Sequence, residues 1–93
     1  MSRSILDNTK ECYITHQTQG LHKHHIFFGT GQRKLSEEWG CWCYLAGSLH
    51  NQSNEGVHFN RRLDLQLKRD CQYAFEMLYG HDKFMELFGR NYL

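Results

Sequence analysis

The chain has 93 residues, which is the size of one small domain. Aromatic residues make up 14% and charged residues 23%, and this composition excludes an intrinsically disordered chain. The net charge of +1 excludes a protein that coats nucleic acid by charge alone, although an enzyme that contacts DNA briefly needs no large charge. Apolar runs stay well below about 18 residues, so we predict no transmembrane helix. Charges at Arg3 and Asp7 interrupt any signal-peptide apolar region, and we expect a cytoplasmic protein.

The N-terminal half is predicted to contain a lead-in, a strand and a basic loop. The predicted elements, in chain order, are a loosely held lead-in over 1–11, a short β-type run over Cys12–Thr15, a turn over Gln17–Gly20, a strand over Leu21–Phe28, a flexible basic loop over Gly29–Lys34 and a single helical turn at Ser36–Glu38 that Gly40 ends. The strand carries His22, His24 and His25.

The C-terminal half begins with a second strand and then becomes helical. The predicted elements are a strand over Cys41–Leu45, a short helical turn over Ala46–Asn51, a loop over 52–56, a helix of about five turns capped by Asn60 and stopped by Gly80, and a short helix from a cap at Asp82 through Phe88. The sequence therefore predicts a single α+β domain, in which a two-stranded sheet packs on a long C-terminal helix and a short terminal helix.

Four cysteines occur at positions 12, 41, 43 and 71. We expect free thiols, because the sequence shows no export signal and the cytosol keeps thiols reduced. The Cys41-x-Cys43 spacing is not that of a structural zinc site. Cys41 and Cys43 should share one face of a strand, and Cys71 should pack on the inner side of a helix.

Histidine is the exceptional residue, since six of the seven lie between His16 and His58. Alternate residues of a strand share a face, so His22 and His24 should point one way and His25 the other. Neutral imidazole serves both as a metal ligand and as a general base. One histidine of the pair His24 and His25 can therefore bind a metal while its neighbour takes a proton from water. His16 and His81 lie outside the cluster, and we expect them to be ordinary surface or hydrogen-bonded residues.

Three short segments together resemble the HNH, or ββα-metal (His-Me finger), endonucleases. These are Leu21–Phe27, Leu49-His50-Asn51 and Gly56-Val57-His58. The similarity is greatest to small phage and prophage HNH proteins, including the recombination-associated nucleases, and it covers about residues 12–80. It implies a short antiparallel sheet packed on a helix and a metal-dependent DNA endonuclease.

The resemblance also implies roles for individual residues. His25 would be the general base, and one divalent metal ion (Mg²⁺, Mn²⁺, Ni²⁺ or Zn²⁺) would be held by a set of three histidines: His24, His50 and His58. Residues expected to support these ligands or to contact DNA are His22, Lys23, Arg33, Lys34 and Asn51. A monomer would nick one strand, a homodimer could cut both, and a phage or host recombination or packaging protein could be a partner.

Two departures from the family pattern keep other functions open. The stretch Glu38–Cys41 lacks the family's middle asparagine, and His58 follows His50 by eight residues, a wider spacing than relatives often have. The second hypothesis is therefore a non-catalytic DNA- or protein-binding module that keeps the fold around a structural metal. A third is a helical interaction protein whose histidines are incidental.

Overall fold

The computed structural model describes residues 3–6, 9–50 and 60–93, except the side chains at positions 48 and 50. The elements, in chain order, are the strand β1 (Leu21–His25) and the helix α1 (Gln32–Trp39), then the strand β2 (Trp42–Ala46), and then the helices α2 (Gly47–His50), α3 (Arg61–Tyr79) and α4 (His81–Phe88). The described chain is thus α+β, with a two-stranded antiparallel sheet and a mainly helical C-terminal half, as the sequence predicts.

The sheet is short because the chain leaves it soon after His25. β1 and β2 pair with His24 opposite Cys43 and His25 opposite Trp42. The Ile26 amide still donates to the Cys41 carbonyl at 2.9 Å. The backbone N–H and C=O of Phe27 then bond to the hydroxyl of Ser36 rather than to a strand. The predicted strand over Leu21–Phe28 is therefore too long at its C-terminal end.

One face of the sheet is buried against the helices. Cys43 and Leu45 have no exposed surface, and His24 is only 2% exposed. The Cys71 thiol of α3 meets the Cys41 thiol at this face, and burial, followed by this contact, raises the pKa of Cys71. All four cysteines are free and buried, and Cys71 lies on the inner side of a helix, as predicted.

The two C-terminal helices follow their sequence signals closely. The Asn60 side chain accepts the Leu63 amide at 3.1 Å and caps α3, as predicted. α3 then ends at Tyr79, immediately before Gly80. α4 folds back so that its buried aromatic rings pack on the core: Phe84 lies 5.6 Å and Phe88 6.1 Å from the Phe75 ring. The prediction that Asp82 caps α4 is wrong, because Gly80 is the N-cap and Asp82 lies in the first turn.

Three further expectations about the N-terminal half are wrong. The run Cys12–Thr15 forms a turn, because the Cys12 carbonyl accepts the His16 amide at 2.9 Å. The predicted basic loop ends early, since Gln32 already begins α1, which has two turns instead of one. Within the expected loose lead-in, Ser4 is buried and donates to the Trp42 carbonyl, so residues 3–6 are held on the fold.

Within the described part of the chain, no helix has the length and apolar character needed to cross a membrane.

Candidate functional site

β1 presents its two neighbouring histidines to opposite faces of the sheet, as the strand pattern predicts. His24 lies on the helix-facing side, is 2% exposed and stands opposite Cys43. Its ring centroid is 6.0 Å from that of Phe28. The ammonium of Lys68, which belongs to α3, sits 4.4 Å from the centre of the Phe28 ring. His24 is therefore enclosed on the side of the sheet that α3 covers.

His25 lies on the other face and contacts an acidic residue. Its Nε2 is 2.9 Å from Oε1 of Glu37, which belongs to α1. The ammonium of Lys23 reaches the same carboxylate, at 2.7 Å from Oε1 and 3.0 Å from Oε2. Hydrogen bonds from Lys23 and then from His25 lower the pKa of Glu37. The carboxylate is consequently ionised at neutral pH.

Lys23 is held in place by a second contact. Its Nζ lies 4.2 Å from the centre of the Trp42 ring, which is within cation–π range. Trp42 stands opposite His25 in the sheet, on the same face. These contacts form one cluster, the carboxylate–imidazole cluster: Lys23, His25, Glu37 and Trp42.

The local sequence explains why α1 delivers Glu37 to this face. Ser36 is fully buried, and its Oγ donates to the Phe27 carbonyl at 2.7 Å and accepts the Phe27 amide at 3.1 Å. The Ser36 carbonyl in turn accepts the Cys41 amide at 2.8 Å. The residue after Ser36 is thereby fixed beside the end of β1, and that residue is Glu37.

α2 brings a third predicted residue towards the strand. This short helix packs against both β1 and β2, and the Gly47 amide donates to the Gly20 carbonyl at 3.0 Å. α2 starts at the Leu21 end of the sheet, directly after β2, and ends at His50. The His50 side chain, Asn51 and His58 lie outside the described residues.

The complete ligand set therefore stays a prediction. Among the side chains that the structure describes, no group of three or more His, Cys, Asp or Glu residues could hold a metal ion. Of the three predicted histidine ligands, only His24 has a described side chain.

The other predicted site residues are distributed over β1 and α1. His22 is half-buried opposite Leu45, on the face that carries His24. Arg33 and Lys34 are exposed in the first turn of α1, not in a loop as predicted. His16 is exposed, with its Nδ1 3.5 Å from a Glu11 carboxylate oxygen, and His81 is paired with Glu76, so both are the ordinary surface residues that were expected.

Glu37 is the residue that sequence reasoning missed. The sequence placed it in a single polar turn beside Glu38, with nothing to say which carboxylate faces the sheet. One signal was present in the sequence. Lys23 and His25 share a strand face, and an acidic neighbour on that face would be stabilising. Exposed Glu38 is the carboxylate that points away.

Comparisons with protein families, with curated proteins and with solved structures found no match to this chain. Its function is therefore inferred from its own residues, chiefly the two β1 histidines and their surroundings.

Proposed function

We propose that the protein is a metal-dependent DNA endonuclease that hydrolyses phosphodiester bonds with His25 as general base. The observation that supports this most is the placement of the histidines. His24 and His25 are the last two residues of β1, and β2 runs antiparallel to β1. The helix α2, which ends at His50, packs on β1 and precedes the long helix α3 in the chain. This order is compatible with the ββα layout of the family that the sequence resembles.

In the proposed mechanism, His25 removes a proton from water, and the resulting hydroxide attacks the phosphorus atom. The Cα atoms of consecutive residues are about 3.8 Å apart, so His24 and His25 belong to the same end of β1 although they face opposite ways. We place the scissile phosphate at that end of the strand, where His25 works from the outer face. His25 suits this task because its side chain is 14% exposed, which leaves it within reach of a substrate.

The metal would be held by His24, His50 and His58, since imidazole nitrogen is a good ligand for Zn²⁺ and Ni²⁺. When bound, the ion would stabilise negative charge on the phosphate and on the leaving 3′ oxygen. His24 directly precedes His25 at the end of β1, and its imidazole lies on the face of the sheet that α3 covers.

Arg33 and Lys34 would supply phosphate contacts beside the cleavage site. Both are exposed on α1, the helix that contacts β1 and carries Glu37. With a net charge of only +1, binding to DNA should be modest and salt-sensitive. We further propose a cytoplasmic enzyme of phage or prophage origin that nicks as a monomer, cuts both strands as a homodimer and is recruited by a recombination or packaging protein.

The burial of His24 favours one second candidate. A ligand that is 2% exposed and stands opposite Cys43 suits a closed, structural metal site. In that case the protein is a DNA- or protein-binding module that holds a metal without cutting DNA.

Nicking of supercoiled plasmid, with Mg²⁺, Mn²⁺, Ni²⁺ or Zn²⁺ added, separates the two candidates. We expect the wild-type protein to convert supercoiled plasmid to the open circle in at least one metal, and His25→Ala to lose this activity while keeping its metal. His81→Ala is the matched control, because His81 is also a histidine bonded to a glutamate, at 2.6 Å, but lies on α4. Circular dichroism checks that each variant is folded. Metal binding without nicking in any metal would refute the nuclease and support the binding module.

A further inference from the structure

We propose that Glu37 is a positioning residue that fixes the ring orientation and the tautomer of His25, so that Nε2 carries the proton and Nδ1 presents the lone pair. The inference rests on the proposed role of His25 as general base. It adds a residue to the reaction that neither the sequence motifs nor the predicted ligand set contains.

The argument begins with the hydrogen-bonding capacity of the two groups. An ionised carboxylate only accepts hydrogen bonds, so the ring nitrogen that faces it must be a donor. His25 Nε2 is 2.9 Å from Oε1 of Glu37, and both carboxylate oxygens lie within 3.0 Å of the Lys23 ammonium. Neutral imidazole carries a single N–H. With that N–H directed at Glu37, the acceptor nitrogen of His25 is Nδ1.

The hydrogen bonding of the His25 ring agrees with this assignment. Among the described residues, Nε2 is the ring nitrogen of His25 that makes a hydrogen bond within the protein. A general base must keep one nitrogen available to accept a proton, and a base whose other nitrogen is tied to a third group keeps that nitrogen correctly aimed. Nδ1 is therefore the atom that would take the proton from water, while the Nε2 proton stays in place.

Lys23 and Trp42 hold the Glu37 carboxylate beside the ring of His25. Lys23 joins Glu37 from the strand that carries His25, and its cation–π contact with Trp42, at 4.2 Å, fixes the ammonium. Ser36, the residue before Glu37, anchors the helix through its two bonds to Phe27. The orienting group is thus assembled before any substrate arrives, and the ring does not need to be ordered by DNA binding.

The carboxylate also suits the state of His25 after proton transfer. An imidazolium donates from both nitrogens, and its bond to the ionised Glu37 carboxylate then joins two opposite charges. The neighbouring Lys23 ammonium neutralises the carboxylate in the resting protein. The arrangement thereby holds one orientation of the ring throughout the step.

The tautomer can be measured without any nuclease activity. Long-range ¹H–¹⁵N spectra of histidine-labelled, metal-free protein at about pH 8.5, above the ordinary imidazole pKa of about 6.5, distinguish a protonated Nε2 from a protonated Nδ1. The His25→Ala spectrum assigns the His25 signals. We expect the Nε2–H tautomer in the wild-type protein, and a mixture of tautomers in both Glu37→Ala and Glu37→Gln. Glu38→Ala, which removes the exposed neighbouring carboxylate, should leave the His25 signals unchanged.

Plasmid nicking by the same variants gives the functional readout. We expect Glu37→Ala to lower kcat about 10–100-fold, the size seen when a group that orients a functional histidine is removed, with KM changed less than about threefold. Glu37→Asp should restore part of kcat, and Glu38→Ala should match the wild type.

The two proposals fail in different ways. A wild-type His25 with its proton on Nδ1, or a tautomer that Glu37→Ala and Glu37→Gln do not alter, would overturn the positioning role whatever the nicking assay shows. If neither the wild-type protein nor any variant nicks plasmid, but the tautomers are as expected, the nuclease proposal is overturned and Glu37 is supported as the group that orients His25.

Discussion

Ser36→Ala should strongly destabilise the protein, although it removes a single oxygen atom. Ser36 has no exposed surface, and its hydroxyl is bonded to both the N–H and the C=O of Phe27. These two bonds join the middle of α1 to the segment that follows β1. Alanine has no atom to replace the hydroxyl, and Phe27 is itself buried. Both of its backbone groups would therefore be left without a partner.

The magnitude follows from those two groups. A buried donor or acceptor that loses its partner costs about 1–3 kcal/mol, so the pair should cost about 2–6 kcal/mol in the free energy of unfolding. A domain of this size is stable by only about 5–15 kcal/mol. Since 1 kcal/mol changes the Tm of a small domain by about 4–8 °C, the variant should melt at least about 8 °C below the wild type.

Urea unfolding followed by circular dichroism measures this difference, with Thr30→Ala as control. Thr30 is exposed in the loop before α1, and its loss should change the free energy of unfolding by less than about 0.5 kcal/mol. A Ser36→Ala value below about 1 kcal/mol would refute the reasoning, because it would mean that the Phe27 groups find other partners or that α1 is not anchored by this residue.

Three further predictions test the fold and the proposed site. Gly40→Ala should lower the free energy of unfolding, measured in urea, by about 2 kcal/mol more than Gly89→Ala does. The two glycines end helices at φ 73° and 71°, but a Cβ would overlap the Arg3 carbonyl oxygen at position 40 and would meet open space at position 89. Equal losses in the two variants would contradict the clash. Burial, and then the hydrogen bond to Asp70, raises the pKa of Tyr13 to about 12, so the neutral phenol is favoured in the folded state. The contribution of this shift to stability is complete below pH 10 and is lost as the pH rises towards 12. Tyr13→Phe should therefore remove the fall in the free energy of unfolding over this pH range. A fall that is the same in the variant and in the wild type would contradict the role of Tyr13. Removal of the metal with a chelator should abolish nicking, and adding it back should restore the activity; nicking that persists in chelator would exclude the proposed metal role.

The elements with a clear period were predictable from the sequence. Leu63, Leu67 and Cys71 recur at helical spacing, and Asn60 offers a side-chain cap, so local chemistry alone places α3. The alternation in β1 likewise predicted that His24 and His25 face opposite ways, which the register confirms. In these segments the local pattern and the tertiary packing favour the same structure.

α1 could not be placed in this way, because its first turn lacks a local helix signal. Gly31, at φ 80°, is the N-cap without a side-chain hydrogen bond, and the residues that follow are polar. The helix is fixed by Ser36, whose partner, Phe27, lies nine residues earlier on another segment. Contacts of this kind depend on the folded chain.

The sequence indicates the histidines of the candidate site but not the partner of His25. Spacing and resemblance indicated His24, His25 and His50, yet the contact between His25 and Glu37 depends on which side of α1 faces β1. That orientation follows from the buried hydroxyl of Ser36, and serine is usually an exposed residue.

The rate of plasmid nicking by the wild-type protein and by His25→Ala, measured with enzyme in excess and the same saturating metal, tests the central claim most directly. If His25 is the general base, the wild-type protein should nick supercoiled DNA and the folded variant should be slower by about 10²–10⁴-fold. Equal rates in the two proteins would contradict the assignment of His25, and no nicking by the folded, metal-bound wild type would contradict the nuclease.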